Sequence, residues 1–321
     1  MTHYDIFNGD ADGLCGLVQL RLQHPAETTL VTGVKRNIQL LYRLNASQGD
    51  RLTVLDISLD TNRAELQRIL DAGAQVEWFD HHYADPIPDH PKLSAHIDTA
   101  PEACTSLIVD RHLGGAQRSW AIAGAFGDNL HASARQLAAT TALSAGEITQ
   151  LQYLGEALNY NAYGETIADL RYPPGDLFKR LIEATDPFVF MHDFPHFDVL
   201  KRGFDEDIGA ARNLEPLART TGTALFLLPD EDWARRVSGV FANQLAVAHP
   251  ARAHAILTHH SAGGYVISVR APKTNPAGAD ELCRQFPTGG GRKAAAGINQ
   301  LPAGQLEAFI AAFQRQYEAK A

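Results

Sequence analysis

Cysteine is scarce in this sequence, and long apolar runs are absent. The three cysteines, Cys15, Cys104 and Cys283, are far apart and form no CxxC pair, which argues against a disulfide framework and against a thiolate zinc site. No apolar run approaches the roughly 20 residues that a membrane helix needs, and the amino terminus lacks the basic and apolar segments of a secretory signal. We therefore expect a cytoplasmic protein that does not act in a membrane.

Basic residues are outnumbered by acidic ones. The chain has 28 Lys and Arg against 37 Asp and Glu, which gives a formal net charge of −9. Stable binding to duplex DNA depends on basic surface, so we do not expect it here. A small anionic ligand is compatible with this charge if a few cations are concentrated in one place. The length of 321 residues is sufficient for two domains.

Short apolar runs alternate with helical patterns over the first half of the chain. This alternation indicates βαβ units and a mainly parallel sheet with flanking helices. The predicted strands are residues 4–7, 30–34, 52–55 and 76–79, and the predicted helices are residues 14–22 and 62–72. A further helix is expected to end at Gly127, directly before Asp128.

The second half begins with a mostly helical pattern and ends in another α/β segment. Strands are predicted at residues 224–228, 253–257 and 265–270, and an amphipathic helix is predicted from about residue 303. We therefore predict an α/β protein in three parts. An N-terminal domain, 1–190, is followed by a helical connection, 191–219, and a smaller C-terminal domain, 220–321.

Carboxylates, amides and imidazoles follow several of the apolar runs. The set comprises Asn8, Asp10, Asp12, Asp56, Asp80, His81, His82 and Asp128. In an open parallel sheet, ligands gather at the carboxyl ends of the strands, so we expect these side chains to share one site. Such a set suits Mn²⁺ or Mg²⁺ better than structural zinc, and its size predicts two ions with one bridging carboxylate.

Each of these residues also has an alternative interpretation. Asp10 and Asp12 occupy a glycine-flanked turn, where they could form the turn or cap the helix that follows. Asp56 could likewise be a capping residue, and Asp128-Asn129 after Gly127 is a common turn sequence. The joint occurrence of all of them, in this order, favours the metal site.

Four segments resemble, in order and spacing, the motifs of the DHH phosphoesterase superfamily. They are Gly9-Asp10-Ala11-Asp12-Gly13, Leu55-Asp56, Asp80-His81-His82 and Gly127-Asp128. The superfamily includes RecJ-type exonucleases, nano-RNases, cyclic-dinucleotide phosphodiesterases and exopolyphosphatases. Residues 289–297 resemble the glycine-rich motif of the DHH-associated C-terminal domain, and Ser268-Val269-Arg270 resembles the strand that precedes this motif.

The resemblance implies a role for each motif residue. Asp10 would bind one manganese ion, Asp56 would bridge two, and His81 and Asp128 would complete the better-formed site. His82 would contact the scissile phosphate, so that Asp10, Asp56 and His82 are the expected catalytic residues.

The chain departs from the family pattern at two positions. Asn8 stands where the family often has Asp, and a neutral amide is the weaker ligand. We expect Asn8 to hold one ion loosely, with Asp12 as a substitute ligand. The second departure is Arg292, where the family usually has His.

The C-terminal motif predicts a substrate-binding loop. The backbone N–H groups of Gly289, Gly290 and Gly291 can approach a phosphate closely, and Arg292 and Lys293 add positive charge. Ser268 and Arg270 are expected to contribute from the preceding strand, and a helix is expected to begin in the Ala/Gly segment after the loop. The alternative is a flexible loop with solvated cations.

The sequence therefore predicts a manganese-dependent phosphoesterase that hydrolyses phosphodiester bonds of a short oligoribonucleotide or linear dinucleotide. Magnesium is an alternative cofactor. Two other functions stay open, namely hydrolysis of inorganic polyphosphate and non-catalytic binding of a nucleotide. A homodimer is compatible with the sequence.

Overall fold

The computed structural model describes residues 1–318; the last three residues of the predicted C-terminal domain lie outside the described part. The chain forms two compact units, the first being Met1–Arg202 and the second beginning at Gly203. Among the described residues, no helix combines the length and the apolar character that crossing a membrane requires.

The first unit is built on a five-stranded parallel sheet. Its strands are β1 (His3–Phe7), β2 (Thr29–Val31), β3 (Arg51–Leu55), β4 (Gln75–Asp80) and β5 (Leu93–Ile97), in the spatial order β2-β1-β3-β4-β5. The apolar residues of the central strands are divided between the two faces, with Phe7, Leu55 and Phe79 on one and Ile6, Val54 and Trp78 on the other, as expected for a parallel sheet that is covered on both sides. The predicted mainly parallel sheet with flanking helices is confirmed.

Helices cover both faces of this sheet. They are α1 (Ala11–Gln23), α2 (Arg63–Asp71), α3 (Thr105–His112), α4 (Arg118–Gly127), α5 (His131–Ala138), α6 (Ala145–Tyr160), α7 (Pro174–Glu183), α8 (Pro187–Asp193) and α9 (Pro195–Arg212), the last of which continues into the second unit. One core packs Phe7 and Phe79 against the helices around α1 and α4. A second core, on the opposite face, packs Val54 and Trp78 against α2.

The second unit contains a six-stranded sheet. Its strands are β6 (Ala218–Arg219), β7 (Thr223–Leu227), β8 (Ala253–His259), β9 (Tyr265–Arg270), β10 (Gly289–Gly291) and β11 (Ala295–Leu301), in the order β10-β11-β9-β8-β7-β6. Only β7 and β8 pair in parallel among these strands. The helices are α10 (Asp232–Ala248), α11 (Ala279–Cys283) and α12 (Leu306–Tyr317).

The structure corrects the sequence prediction in three places. Residues 289–291 form β10 rather than a loop, and the small residues from Ala295 onward form β11 rather than the start of a helix. Strand β2 ends at Val31, three residues earlier than predicted. Strand β5 was not predicted, although Leu93-Ser94-Ala95-His96-Ile97 alternates apolar and polar residues as a half-buried strand does.

Candidate metal centre

Three neighbouring strands bring polar side chains to the same edge of the first sheet. Phe7 pairs with Leu55 and Leu55 with Phe79, so the residues that follow in the chain leave the sheet at one level. These residues are Asn8, Asp56 and Asp80. The register of a parallel sheet therefore assembles motifs that are about 25 to 50 residues apart in sequence.

Asp56 has an unusual backbone conformation at this edge. Its φ angle of 56° lies in the left-handed region, which Asp and Asn tolerate better than most residues. The Asp56 backbone N–H donates to the Phe79 carbonyl at 3.0 Å, which holds the turn beside β4. The strained turn directs the Asp56 carboxylate into the polar cluster, as at many functional sites.

His81 presents one ring nitrogen to the carboxylates. Its Nδ1 atom lies 3.1 Å from the Ala103 carbonyl oxygen, which can only accept, so Nδ1 carries the proton. The free Nε2 atom then lies 3.4 Å from Asp56 Oδ1 and 4.0 Å from Asp128 Oδ2. A backbone carbonyl that fixes the tautomer in this way is typical of a histidine that binds a metal ion.

Asp128 is the residue at the C-terminal end of α4. The preceding residue, Gly127, has no space for a side chain. A Cβ atom at position 127 would lie 2.3 Å from the Ala11 Cβ and 2.8 Å from the Gly155 carbonyl oxygen. The end of α4 thus packs against the first residue of α1. The Asp128 Oδ2 atom is buried and has no hydrogen-bond partner among the described residues, although a carboxylate oxygen in this position requires one.

His82 is held by the first residue of its own motif. Its Nδ1 atom donates to Asp80 Oδ1 at 2.7 Å, which leaves Nε2 as the other polar atom of a ring that is 41% exposed. Burial lowers the pKa of His82, but the hydrogen bond and the charge of Asp80 outweigh it, so the pKa is raised. Asp80 thereby orients His82 and favours its cationic form.

The carboxylate of Asp12 has a different environment. Its Oδ2 and Oδ1 atoms accept hydrogen bonds from the Thr105 and Ser106 backbone N–H groups, both at 2.7 Å. Asp12 therefore caps the N-terminus of α3, where two orphan donors need an acceptor. An oxygen atom of Asp12 also lies within 4.8 Å of ligand atoms of His81 and Asp128. Both carboxylate oxygens of Asp12, however, already accept hydrogen bonds from the first residues of α3.

Lys35 is a member of the site that the sequence analysis missed. Its Nζ atom forms an ion pair with Asp10 Oδ2 and also lies 3.4 Å from Asn159 Oδ1 and 5.6 Å from the centre of the Tyr163 ring. Burial alone would lower the pKa of Lys35, but the carboxylates, Asp10 foremost, raise it. An ammonium ion is thus fixed inside the cluster.

Asp10 and Asn8 complete the first motif. Asp10 caps α1, because its Oδ1 atom accepts from the Asp12 and Gly13 backbone N–H groups, both at 3.1 Å. Burial would raise its pKa, but the Lys35 charge and these donors keep the pKa of Asp10 below its usual value. The Asn8 amide nitrogen donates to the Lys35 carbonyl at 3.3 Å, so Asn8 positions the lysine segment.

The remaining carboxylates repel one another. Burial, together with the charges of Asp10 and Asp12, raises the pKa of Asp56 well above its usual value. Burial and the neighbouring Asp128 likewise raise the pKa of Asp12. A divalent cation would relieve both effects, because it compensates the charge that the buried carboxylates share.

The donors fit a divalent ion. Two groups of potential ligands share His81, one with Asp56 and His82 and the other with Asp12 and Asp128. The buried Asp128 Oδ2 needs a partner that the described residues do not supply. Two carboxylates and one imidazole suit Mn²⁺ or Mg²⁺ more than a thiolate-binding metal. The structure brings together all six residues that the sequence analysis named as metal ligands, but Asp10 and Asp12 also serve as helix caps.

The predicted substrate-binding residues lie at one end of the second sheet. Arg270, the last residue of β9, pairs with Ala295, and Ala295 also closes the β10–β11 hairpin by bonding to Arg292 through both backbone groups, at 2.9 and 3.2 Å. Lys293 lies in the turn of this hairpin. Arg270 Nε donates to Asn243 Oδ1 at 2.7 Å, so this side chain is anchored.

Ser268, Gly297 and Gly290 lie side by side on three neighbouring strands of the same sheet. Gly297 pairs with Ser268 on one side and with Gly290 on the other. A Cβ atom at Gly289 would lie 1.8 Å from the Cys283 carbonyl oxygen, and one at Gly291 would lie 2.5 Å from the Ala296 Cα, whereas one at Gly290 would meet nothing within 4 Å. Packing therefore explains two of the three glycines without a ligand.

Comparison with known proteins identifies the fold. No protein-family model matches the sequence, and no curated protein matches it. Among solved structures, exonuclease RecJ bound to manganese matches with a TM-score of 0.63 and 19% identity, over 98% of this chain and 89% of that chain. The chain has a RecJ-like fold. The predicted fold class is thus confirmed.

Two further DHH structures extend the comparison. RecJ from Thermus thermophilus, in complex with Mn²⁺, matches with a TM-score of 0.65 and 19% identity over 98% of this chain, which spans 51% of that protein. The pGpG-specific phosphodiesterase PggH from Vibrio cholerae matches with a TM-score of 0.52 and 14% identity, over 98% of each chain. The DHH fold therefore occurs in a protein of nearly the same extent as this one.

Proposed function

We propose that this protein is a manganese-dependent phosphoesterase that hydrolyses phosphodiester bonds in a short nucleotide, an oligoribonucleotide or a linear dinucleotide. The observation that carries the proposal is the geometry of His81. Its proton is held by the Ala103 carbonyl, and its free Nε2 atom faces Asp56 and Asp128. This leaves the second ring nitrogen between two carboxylates, which is the arrangement of a histidine that binds a metal ion.

A bound divalent ion would activate water and neutralise the charge that develops on the phosphoryl group. We assign Asp56, His81 and Asp128 to hold it. The sequence predicts a second ion, and the Asp10 carboxylate would then contact both this ion and the ammonium group of Lys35. The chain's own residues supply the remaining functions, since the ammonium of Lys35 is a fixed positive charge and His82 presents an oriented Nε2 to the phosphate.

Asp80 acts on the reaction through His82. Its carboxylate accepts the Nδ1 proton and favours the imidazolium, which can donate from Nε2 to a phosphate oxygen. Removing such an orienting partner typically costs 10- to 100-fold in activity. Asp80→Asn and His82→Gln are therefore expected to reduce the rate while leaving manganese binding intact.

The substrate class is supported by three observations. The net charge of −9 disfavours a long nucleic acid as substrate. Arg270, Arg292 and Lys293 lie at one end of the second sheet, where they offer positive charge to a phosphate. The pGpG-specific PggH has the same fold and nearly the same extent as this chain, which favours a dinucleotide.

The decisive experiment compares wild-type protein with Asp56→Asn on a substrate panel. The panel contains pGpG-like dinucleotides, longer oligoribonucleotides, cyclic dinucleotides and polyphosphate, with Mn²⁺ or Mg²⁺ and with products resolved. We expect Asp56→Asn to lose about 10³-fold in turnover, equivalent to roughly 4 kcal/mol. Asn keeps the left-handed turn and removes the charge, so unchanged turnover would reject the metal assignment.

Arg292 tests the proposed role of the hairpin. Arg292→Ala is expected to raise KM for a dinucleotide more than it lowers kcat, because the residue would bind the part of the substrate that does not react. Arg284→Ala, an exposed arginine in the same unit that pairs with Asp280 at 3.1 Å, is the matched control. A fall in kcat at unchanged KM would remove Arg292 from recognition.

A further inference from the structure

A second group of potential metal ligands lies away from the first site, on the α1 face of the sheet. Glu77 belongs to β4, His96 to β5 and His112 is the last residue of α3. The Glu77 Oε1 atom lies 3.5 Å from His96 Nε2 and 3.9 Å from His112 Nε2. One oxygen and two ring nitrogens from three elements thus converge on a common point.

The spacing of these atoms is that of ligands around one ion. The Glu77–His96 separation is at the outer limit of a hydrogen bond and the Glu77–His112 separation exceeds it, so a hydrogen bond joins at most one of the two imidazoles to Glu77. Ligands at about 2.0–2.1 Å from a tetrahedral zinc ion are about 3.3–3.5 Å apart. The Glu77–His96 separation of 3.5 Å matches that value, the Glu77–His112 separation of 3.9 Å is longer, and all three ligand atoms lie within 4.8 Å of one another.

Aromatic packing holds the two imidazoles in place. The ring of Phe79, which is fully buried, stacks on His96 with centroids 4.5 Å apart and an interplanar angle of 11°. The same ring meets His112 edge-on at 5.1 Å. Burial and the neighbouring His96 lower the pKa of His112.

We infer that Glu77, His96 and His112 form a second metal site, which binds a divalent transition-metal ion of the zinc class. Two imidazoles and one carboxylate are a ligand set that zinc uses where a fourth position stays open to water or to a ligand. Ser94 Oγ lies 3.1 Å from His96 Nε2, and the bound ion would displace this hydroxyl group.

The ion can reach this site from solvent. Glu77 and His112 line a cavity of about 610 Å³, whose wall also includes Arg51 and Lys92. The side chains of His96 and His112 are 30% and 33% exposed. The two centres should therefore differ in metal preference, because the first is rich in carboxylates and suits Mn²⁺, whereas the second is rich in imidazole and suits Zn²⁺.

The test measures zinc binding in the presence of manganese. Chelator-treated protein is dialysed against excess Mn²⁺ together with Zn²⁺ in slight molar excess over the protein, and both metals are quantified. The wild-type chain is expected to bind one more equivalent of zinc than His96→Gln or His112→Gln, and His192→Gln, which changes an exposed histidine on α8, should match the wild type. Equal zinc content in all four proteins would overturn the inference.

A second measurement uses the wild-type protein alone. Diethyl pyrocarbonate acylates accessible imidazoles, and the modified peptides are resolved by mass. Zinc is expected to slow the modification of His96 and His112 at least about tenfold, since the Nε2 atoms would be coordinated, and to leave His192 unaffected. Equal rates for His96 and His112 with and without zinc would likewise reject the site.

Discussion

The Nζ atom of Lys35 forms an ion pair with the Oδ2 atom of Asp10 inside the carboxylate cluster. Asn8, which binds the lysine segment through the Lys35 carbonyl, contributes no charge of its own. The cluster is therefore partly neutralised from within the chain. This arrangement limits how many divalent ions it can hold, because Asp10 already has a cationic partner.

Replacement of Lys35 should increase manganese binding. In Lys35→Gln, Asp10 loses its cation and becomes available as a ligand, so we expect the number of tightly bound Mn²⁺ ions to rise from one to two. The metal-free variant should also be about 3–5 kcal/mol less stable, because a buried carboxylate is left without its partner. Equilibrium dialysis of Mn²⁺ and urea unfolding measure the two effects.

Lys179→Gln is the matched control for this experiment. Lys179 is 67% exposed on α7 and lies 3.9 Å from Asp176, so its loss should change neither quantity. The same number of bound ions in wild-type, Lys35→Gln and Lys179→Gln protein would show that Lys35 does not occupy a cation position.

Asp12 is expected to stabilise α3 rather than to bind metal. Asn has one acceptor oxygen in place of two, so Asp12→Asn leaves the Thr105 or the Ser106 backbone N–H without its acceptor, at a cost of about 1–3 kcal/mol. Manganese affinity should fall less than about tenfold. Asp128→Asn should instead abolish binding, because its unpartnered Oδ2 atom belongs to the proposed ligand set.

Urea unfolding of the metal-free proteins and Mn²⁺ titration separate the two roles of Asp12. If Asp12→Asn loses manganese as completely as Asp128→Asn does, Asp12 is a ligand after all. A variant that binds manganese normally and unfolds more readily would support the capping role.

The polar cluster at the carboxyl edge of the first sheet could be predicted from the sequence, because apolar runs there are followed directly by polar residues. The apolar runs before Asn8, Asp56 and Asp80 are buried strands, and their parallel register is enough to bring the motifs together. Lys35 was missed because it follows β2, a strand of three residues whose end the pattern does not mark. Its proximity to Asp10 depends on the path of the chain after that strand.

The glycine-rich segment shows where a local pattern has two physical explanations. Three glycines followed by two cations predict a phosphate-binding loop, but two of them, Gly289 and Gly291, are required where β10 passes close to Cys283 and Ala296. The packing role becomes visible only from the pairing of β10 with β11. The pairing of strands in a short hairpin of small residues cannot be inferred from amino-acid composition.

Substitutions in this hairpin separate packing from binding. At Gly291 the φ angle is 137° and an added Cβ would lie 2.5 Å from the Ala296 Cα, so Gly291→Ala should destabilise the protein by at least about 1–3 kcal/mol. Gly290→Ala meets no neighbouring atom within 4 Å and should leave stability within about 0.5–1 kcal/mol of wild type.

Gly290→Ala is therefore the informative variant for substrate binding. A rise in KM for a dinucleotide, at unchanged melting temperature, would support close approach of the substrate to this backbone. Unchanged KM would show that the hairpin glycines serve packing alone. Gly291→Ala cannot make this distinction, since it alters the strand itself.

His254 should make the stability of the protein depend on pH. The residue lies on β8 and is fully buried, and burial, together with the nearby His249 and Arg252, lowers its pKa to about 4. In the unfolded chain the pKa returns to about 6.5. Below pH 6.5 the unfolded state therefore binds a proton that the native state does not bind, and the free energy of unfolding falls as the pH falls towards 4.

The loss attributable to His254 should reach about 3 kcal/mol at pH 4 and vanish well above pH 6.5. His254→Leu removes the titrating group, so the stability of the variant should decline less than that of the wild type between pH 7 and 4.5. His259→Gln, at the half-buried end of the same strand, controls for a generic histidine change. Urea unfolding across this pH range measures the difference, and parallel curves for wild type and His254→Leu would contradict the assignment. A stability difference that shifts in favour of His254→Leu as the pH falls would support it, because only the wild-type native state keeps a neutral imidazole buried while its unfolded state gains a proton.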